Sequence, residues 1–289
     1  MADGWTIGII GGSGLYAMDA LEEAQWLEVD TPWGAPSDQL LIGRIEGVKL
    51  VFLPRHGRGH RIPPSSLNYR ANVDALKRAG CTDILAISAV GSLRDELAPG
   101  RFVVVDQYLD RTMGRASSFF GPGLVAHVSI ADPTCPRLSA LAADAADAAG
   151  AEVTRGGCYV AIEGPTFSTR AESRLYRAWG GDVIGMTGMP EAKLAREAEL
   201  PYASVCMVTD WDCWRAEGGE AEVGEILATL HANAGTARRL IVELARRLPE
   251  TRSPSPIDTA LDCAILTAPE ARDPGLVAKL DAICGRVLR

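Results

Sequence analysis

Short apolar runs, each cut off by glycine, proline or charge, are what most limits the folds open to this chain. They fall at residues 6–10, 39–45, 49–53, 84–89, 102–105, 158–162, 182–186 and 202–208. Their length and β-branched content suit strands, several of them covered on both faces. Between them lie stretches with helical spacing at 67–79, 136–149, 170–179, 190–198 and 223–248. Ser65 and Ser66 precede the first of these as its expected N-caps, and Gly80 stops it. Thr169 is the expected cap of the third, with Glu172 as reciprocal partner. This alternation predicts an α/β fold: a single three-layer α/β/α domain with a central mixed β-sheet. No internal repeat or long linker divides the chain, so the domain is expected to span residues 4–250. The segment Glu250-Thr-Arg-Ser-Pro-Ser-Pro is a local break. Beyond it, helical patterns at 260–268 and 274–288 make 251–289 a C-terminal helical extension packed on or near the core.

Composition narrows the function. The formal net charge of −8 would repel a phosphate-rich polymer, so nucleic acid is not an expected partner. A small anion can still bind where arginines and backbone N–H groups converge. The seven cysteines are scattered and form no CxxC pair, which fits thiols in a reducing compartment better than a disulfide framework or a zinc site. No stretch approaches the roughly 18 apolar residues of a membrane helix, and the first residues lack a basic, then apolar, leader. A cytoplasmic protein with no membrane partner and no bound metal is expected.

Several of the apolar runs end in loops whose residues could carry chemistry. Ile7-Gly-Ile-Ile-Gly-Gly-Ser-Gly14 lets the backbone approach a ligand and turn its N–H groups on an anion. A tight turn alone is the plainer reading. A dinucleotide site is the rival, since Gly12, Gly14 and Ala17 fit GxGxxA and Asp30 lies about twenty residues on. Against the rival, 15–26 is interrupted by Asp19, Glu22 and Glu23 without a helical stripe, and no second motif supports nicotinamide. In Leu53-Pro-Arg-His-Gly-Arg-Gly-His60, Arg55, Arg58 and the imidazoles are candidate donors to an oxyanion, although a basic loop alone is more often simply solvated. Ser88 and Gly91 stand in Ile87-Ser-Ala-Val-Gly-Ser-Leu93. Glu163, a candidate acceptor for a sugar or base, and Phe167 follow at 161–173. Met186 and Thr187 stand at a strand-to-helix junction whose N–H groups can face an anion. Asp210 and Asp212 flank an indole after a very apolar strand; a buried aspartic acid keeps its proton and can donate it to a heterocycle.

Taken in order, GGSGLY, PRHGRGH with SSLNYRANVDALKRAGC, SAVGSL, EGPTFSTRAES, MTGMPEAKLAREAELPYASV and TDWDCW resemble the trimeric purine nucleoside phosphorylase family, in its methylthioadenosine branch. The resemblance runs from about residue 7 to about residue 248. It implies a nucleoside phosphorylase-like fold. It also implies a pentosyltransferase of purine and methionine salvage that converts 5′-methylthioadenosine and phosphate to adenine and 5-methylthioribose 1-phosphate. Inorganic phosphate would be a co-substrate, and no cofactor is expected. By this resemblance phosphate is held by Ser13, Arg55, His56, Ser88 with the N–H of Ala89, and Thr187. Met186 lies under the ribose, Phe167 and Ser168 border base and sugar, and Asp210 and Asp212 face the purine N7 and 6-amino group. Asp210 is the catalytic residue. The 5′ substituent packs on Val223, Ile226 and Leu227. His127 matches a histidine that closes the neighbouring subunit's site, so a homotrimer is expected. An aspartate at 210 favours a 6-amino purine, whereas an asparagine there would suit a 6-oxopurine. Gly188 departs from the serine or threonine common at its position. That departure keeps 6-oxopurine nucleosides and methylthioinosine as the alternative, through an altered 6-position environment or phosphate affinity. A nicotinamide oxidoreductase and a non-catalytic nucleoside binder are more distant ones.

Overall fold

The computed structural model describes residues 4–12, 14–16, 18–215 and 223–288. The apolar runs become β1 (Thr6–Gly11), β3 (Leu40–Ile45), β4 (Val48–Pro54), β5 (Asp83–Ser92), β6 (Phe102–Val105), β9 (Cys158–Ala161), β10 (Val183–Gly185) and β11 (Tyr202–Trp211). Three further strands, β2 (Glu22–Leu27), β7 (Gln107–Asp110) and β8 (Val153–Arg155), carry no apolar run to announce them. β2 is exposed along its whole length. The other two are edge pieces of three and four residues.

The helical patterns become α1 (Tyr69–Arg78), α2 (Pro136–Ala148), α3 (Arg170–Ala178), α4 (Gly188–Glu197) and α5 (Val223–Arg247). Thr169 caps α3 in a complete capping box, with Glu172 reaching back to the Thr169 N–H at 2.7 Å. The cap of α1 is neither Ser65 nor Ser66. Those residues form a short 3-10 turn, and the Asn68 side chain accepts from the Ala71 N–H at 3.1 Å. Asn68 competes better because it stands immediately before the first helical residue.

The strands form one mixed sheet of eleven. β1 lies between β4 and β5, parallel to both, and β11 runs parallel to β5 on its far side. The fork occurs at the end of β5, where Gly91 and Ser92 pair antiparallel with β10 while staying opposite Asp210 and Trp211 of β11. Alternation along the central strands divides the core into two layers. Ile7 and Ile9, Leu85 and Ile87, and Val205 and Met207 face α2 and α5. Ile10, Ile84 and Ala86, and Tyr202, Cys206 and Val208 face α1 and α4. Helices on both faces of a largely parallel sheet complete the three layers.

Among the described residues no helix stands between β1 and β2. The chain leaves the glycine turn for the exposed strand β2, and Asp30 lies exposed beyond it. A dinucleotide fingerprint needs a helix N-terminus at that turn, so the nicotinamide reading of Gly12, Gly14 and Ala17 falls; Ala17 itself lies outside the described residues.

The segment after 250 differs from its pattern. Residues 260–268 form turns rather than a helix, and 274–288 divides at Leu280 into α6 (Pro274–Lys279) and α7 (Asp281–Leu288). Leu261, Leu280, Ile283 and Cys284 join the same apolar cluster as α1 and α4. Arg252 pairs with the fully buried Asp83 at 2.6 Å, and Arg286 with Glu199 at 2.6 Å. Ile265 bridges Ala126, and the His127 N–H donates to the Ala264 carbonyl at 2.9 Å. The seven cysteines are all free thiols, although Cys263 is exposed. Among the described residues, no helix is long and apolar enough to cross a membrane.

Candidate active site

The carboxyl ends of parallel strands are where an open α/β sheet leaves a crevice. Here the ends of β1, β4, β5 and β11 open into a cavity of ≈ 510 Å³. A larger and shallower hollow of ≈ 670 Å³ lies between residues 18–20, α2 and α5. Its arginines point at protein acceptors: Arg238 at the Gly14 carbonyl, Arg239 at that of Ala149, and Arg246 at Glu46 and Glu243. The first cavity, in contrast, gathers polar groups from five loops.

Arg55, His56, Ser88, Ala89 and Thr187 are among the residues that line it. β4 delivers Arg55, which is only 2% exposed and paired with Glu191 of α4 at 2.6 Å. His56 Nδ1 lies 2.9 Å from the Ile62 carbonyl. A carbonyl only accepts, so Nδ1 carries the proton and Nε2 of the neutral ring is left as an acceptor. Burial, and then the Arg55 charge, pull the His56 pKa down to about 4, so the ring is neutral at physiological pH. Thr187 stands at the N-cap of α4, yet its hydroxyl makes no capping bond. Its N–H donates to the Tyr159 hydroxyl at 3.3 Å instead. Ser13 lies outside the described residues; its neighbour Gly12 lines the cavity.

Asp210 and Asp212 line it too, as do Ser168 and Phe167. The β5–β11 pairing slips between Val208 and Asp210, a bulge that re-aims the strand just where its carboxylates begin. Gly91 makes room for them: a Cβ there would stand 3.3 Å from Asp210 Oδ2 and 3.4 Å from Asp212 Cβ. The Thr209 hydroxyl donates to Asp210 Oδ1 at 2.7 Å. Burial pushes both carboxyl groups above the usual aspartate range, and for Asp210 the nearby Asp212 adds to it. Asp212 Oδ2 and Ser168 Oγ are buried and without a partner among the described residues.

Met186 also lines the wall, and Ile226 opens an apolar stripe on α5 that continues at Leu230 and Ala234. That spacing of four and eight residues keeps one face of a helix. Leu227, a step further round, is 47% exposed and does not line the cavity. The side chain of Val223 lies outside the described residues. His127 is exposed and away from its own chain's cavity.

Other sequence candidates serve the fold. Arg58 points away, bound to Asp38 at 2.9 Å and stacked 4.2 Å over Trp26. Glu163 accepts hydrogen bonds from protein and not from the cavity: Oε1 takes Arg115 Nε at 3.0 Å, and Oε2 takes the N–H groups of Met113 and Gly114. Arg115 went unseen in the sequence. Its buried guanidinium also reaches the carbonyls of Ile162, Glu163, Met186 and Met189 and the Tyr69 hydroxyl, tying together two loops of the cavity wall. Those acceptors are mostly main-chain atoms distant in sequence, so no motif could display them.

Gly188 does not line the cavity, and a Cβ there would run into the Tyr108 ring. The absent side chain leaves room for the half-buried Tyr108 ring packed against it. Gly188→Ser should therefore destabilise the fold by about 1–3 kcal/mol through overpacking. Denaturant titration checks this, and Tyr108→Leu added to that variant should recover part of the loss.

Comparison with known proteins agrees with this geometry. The family model described as the phosphorylase superfamily matches residues 6–246. The S-methyl-5′-thioadenosine phosphorylase of Cereibacter sphaeroides is 60% identical over 98% of both chains. That of Bradyrhizobium diazoefficiens is 56% identical, also over 98% of both. A crystal structure of a methylthioadenosine phosphorylase from an antarctic soil metagenomic library superposes with a TM-score of 0.92 at 44% identity, covering 97% of this chain and 99% of that one. The Schistosoma mansoni methylthioadenosine phosphorylase in complex with adenine gives 0.79 at 41% identity, over 84% and 91%. A match over most of the chain at these identities decides the matter: the chain belongs to the phosphorylase superfamily, within its S-methyl-5′-thioadenosine phosphorylase group.

Proposed function

We propose that this chain cleaves 5′-methylthioadenosine with inorganic phosphate, releasing adenine and 5-methylthioribose 1-phosphate. One observation carries the reading: a single cavity joins the Arg55, His56, Ser88 and Thr187 donors and acceptors to the Asp210–Asp212 carboxyl pair. Phosphate lies among the first group. The Arg55 guanidinium, the Ser88 and Thr187 hydroxyls and the Ala89 N–H donate to its oxygens, and His56 Nε2 accepts the hydrogen that the hydrogen phosphate dianion still carries. The purine lies against the carboxyl pair. Asp210 shares its proton with N7, and the 6-amino group donates to a carboxylate oxygen.

As the C1′–N9 bond breaks, its electron pair moves onto the purine and positive charge grows on the ribose, as in glycoside cleavage generally. The phosphate dianion beside C1′ stabilises that charge, then forms the new C1′–O bond. A proton from Asp210 offsets the charge on the leaving base. No protein nucleophile is needed.

The methylthio group packs on the α5 stripe at Ile226 and Leu230. Phe167 lines the cavity yet is 65% exposed, so this edge is open in one chain. A homotrimer in which the neighbour's His127 covers the edge accounts for an apolar ring left in water and an exposed histidine that does not line its own cavity. We take the protein to act in the cytoplasm, with phosphate as co-substrate.

The direct test is adenine release from methylthioadenosine, with adenosine and methylthioinosine in parallel. Adenine should appear only when nucleoside and phosphate are both present, and methylthioinosine should be the poorer substrate. Release without phosphate would make the enzyme a hydrolase and defeat the proposal.

A further inference from the structure

A buried network lies directly behind the Arg55 guanidinium, and no step of the proposed reaction uses it. Glu191, in the first regular turn of α4, is 1% exposed and meets Arg55 edge-on. Arg55 Nε donates to its Oε1 at 2.6 Å and Nη2 to its Oε2 at 3.1 Å. Tyr202, at the start of β11, donates its hydroxyl hydrogen to the same Oε2 at 3.1 Å. Two main-chain carbonyls complete the cage: Ile87 accepts from Nη1 at 3.0 Å and Ile10 from Nη2 at 3.4 Å. A guanidinium carries five N–H donors. These contacts leave one Nη1 N–H without a partner among the described residues, on a side chain that forms part of the cavity wall.

That arrangement has a physical purpose. An arginine side chain rotates about several bonds, and an untethered guanidinium loses much of that freedom when it binds a small anion. A two-point carboxylate contact fixes both the plane and the rotation of the group beforehand. It also supplies a counter-charge. Burial alone would lower the Arg55 pKa, and the Glu191 charge more than offsets it, so the side chain stays charged between turnovers. The Tyr202 hydroxyl in turn fixes the carboxylate.

We infer that Glu191, held by Tyr202, is a positioning residue for phosphate: it locks the Arg55 guanidinium so that its remaining Nη1 N–H is presented to the anion. This rests on the reading of Arg55 as a phosphate ligand. Arg55→Lys, Glu191→Gln and Tyr202→Phe, assayed with phosphate and methylthioadenosine varied separately, test both. Losing the lock should raise the phosphate KM about tenfold or more in Glu191→Gln and about threefold in Tyr202→Phe, since small errors of placement are costly. The nucleoside KM and kcat at saturating phosphate should stay within about threefold. Arg55→Lys should raise the phosphate KM in the same way, and the Arg55→Lys/Glu191→Gln pair should be no worse than the poorer single variant, as for residues acting as one unit.

If Arg55→Lys raises the phosphate KM but Glu191→Gln does not, the positioning role is wrong and the site reading stands. If Arg55→Lys leaves phosphate use unchanged, the site reading fails and the inference with it. Equal rises in both KM values would mark Glu191 as merely structural and overturn the inference. Should Glu191→Gln not fold, Tyr202→Phe decides, because it removes only one hydroxyl; an unchanged phosphate KM there overturns the proposal.

Discussion

Asp210→Asn should lower kcat for methylthioadenosine phosphorolysis by about 10²–10⁴-fold, the usual worth of a placed general acid, while making the protein harder to unfold. The two effects share a cause. Burial, and then Asp212, raise the Asp210 pKa above the aspartate range, so the folded protein favours the protonated form. The folded protein thus holds this proton to higher pH than a free aspartate does, and the protonated form is the one able to donate to N7. Relative to the unfolded chain, such a group adds stability in full only below the unfolded aspartate pKa of about 3.9. The contribution is lost as pH rises through the higher folded value, and beyond it the ionised carboxylate beside Asp212 is a standing penalty. Asparagine accepts the Thr209 hydroxyl without ever ionising. The melting temperature of the variant should therefore exceed that of the parent by a margin that grows from pH 4 to pH 8, by roughly 2–4 °C per kcal/mol of relief. Thermal melts across that range check the stability half, and initial rates check the other. A variant that loses turnover without a pH-dependent gain would show that Asp210 is not under the electrostatic load described. Unchanged turnover would remove it from the mechanism. Stability yielded for activity is common where a site needs a strained or charged arrangement.

How far the sequence could be read depends on what kind of feature a residue contributes to. Buried strands are legible because burial on both faces demands uninterrupted apolar residues: residues 102–105 are the strand predicted, and 6–10 falls short of β1 by one. β2 is hidden because an exposed edge strand places no demand on composition; its EEAQWL run looks like a loop. The turns at 260–268 misled for the converse reason, since a locally helical spacing is overridden when Ile265 is drawn out to bridge Ala126. The site shows the same division. Arg55, His56, Thr187, Asp210 and Asp212 stand at or just past strand ends, where a glycine or a break in hydropathy marks a loop. Ser88 stands inside the long strand β5 where its apolar run breaks, and the cavity joins all six. Residues that act through them leave no such mark. Glu191 reads as an ordinary helix acid, and its pairing with a residue 136 positions away exists only once the sheet has formed. Gly188 was conspicuous by comparison with its family, yet its reason lies in Tyr108, a residue of an unpredicted strand.

The buried pair also changes what removing Arg55 should do. From sequence alone, Arg55→Ala is expected mainly to weaken phosphate use. The structure adds a second and larger consequence, because Arg55 is the direct counter-ion of a carboxylate as deeply buried as itself. Taking the arginine away leaves Glu191 with only the Tyr202 hydroxyl, and an uncompensated buried charge typically costs about 3–5 kcal/mol. Arg55→Ala should therefore lose about that much stability in denaturant titration at neutral pH, besides requiring far more phosphate. Arg55→Met combined with Glu191→Met separates the two consequences. Replacing a buried ion pair with apolar side chains of similar volume is often neutral or better for stability, so the double variant should fold about as well as the parent while its phosphate KM stays high. If Arg55→Ala instead unfolds at the parent's midpoint, Glu191 has another compensating partner and the cage around Arg55 is not what holds this part of the sheet together.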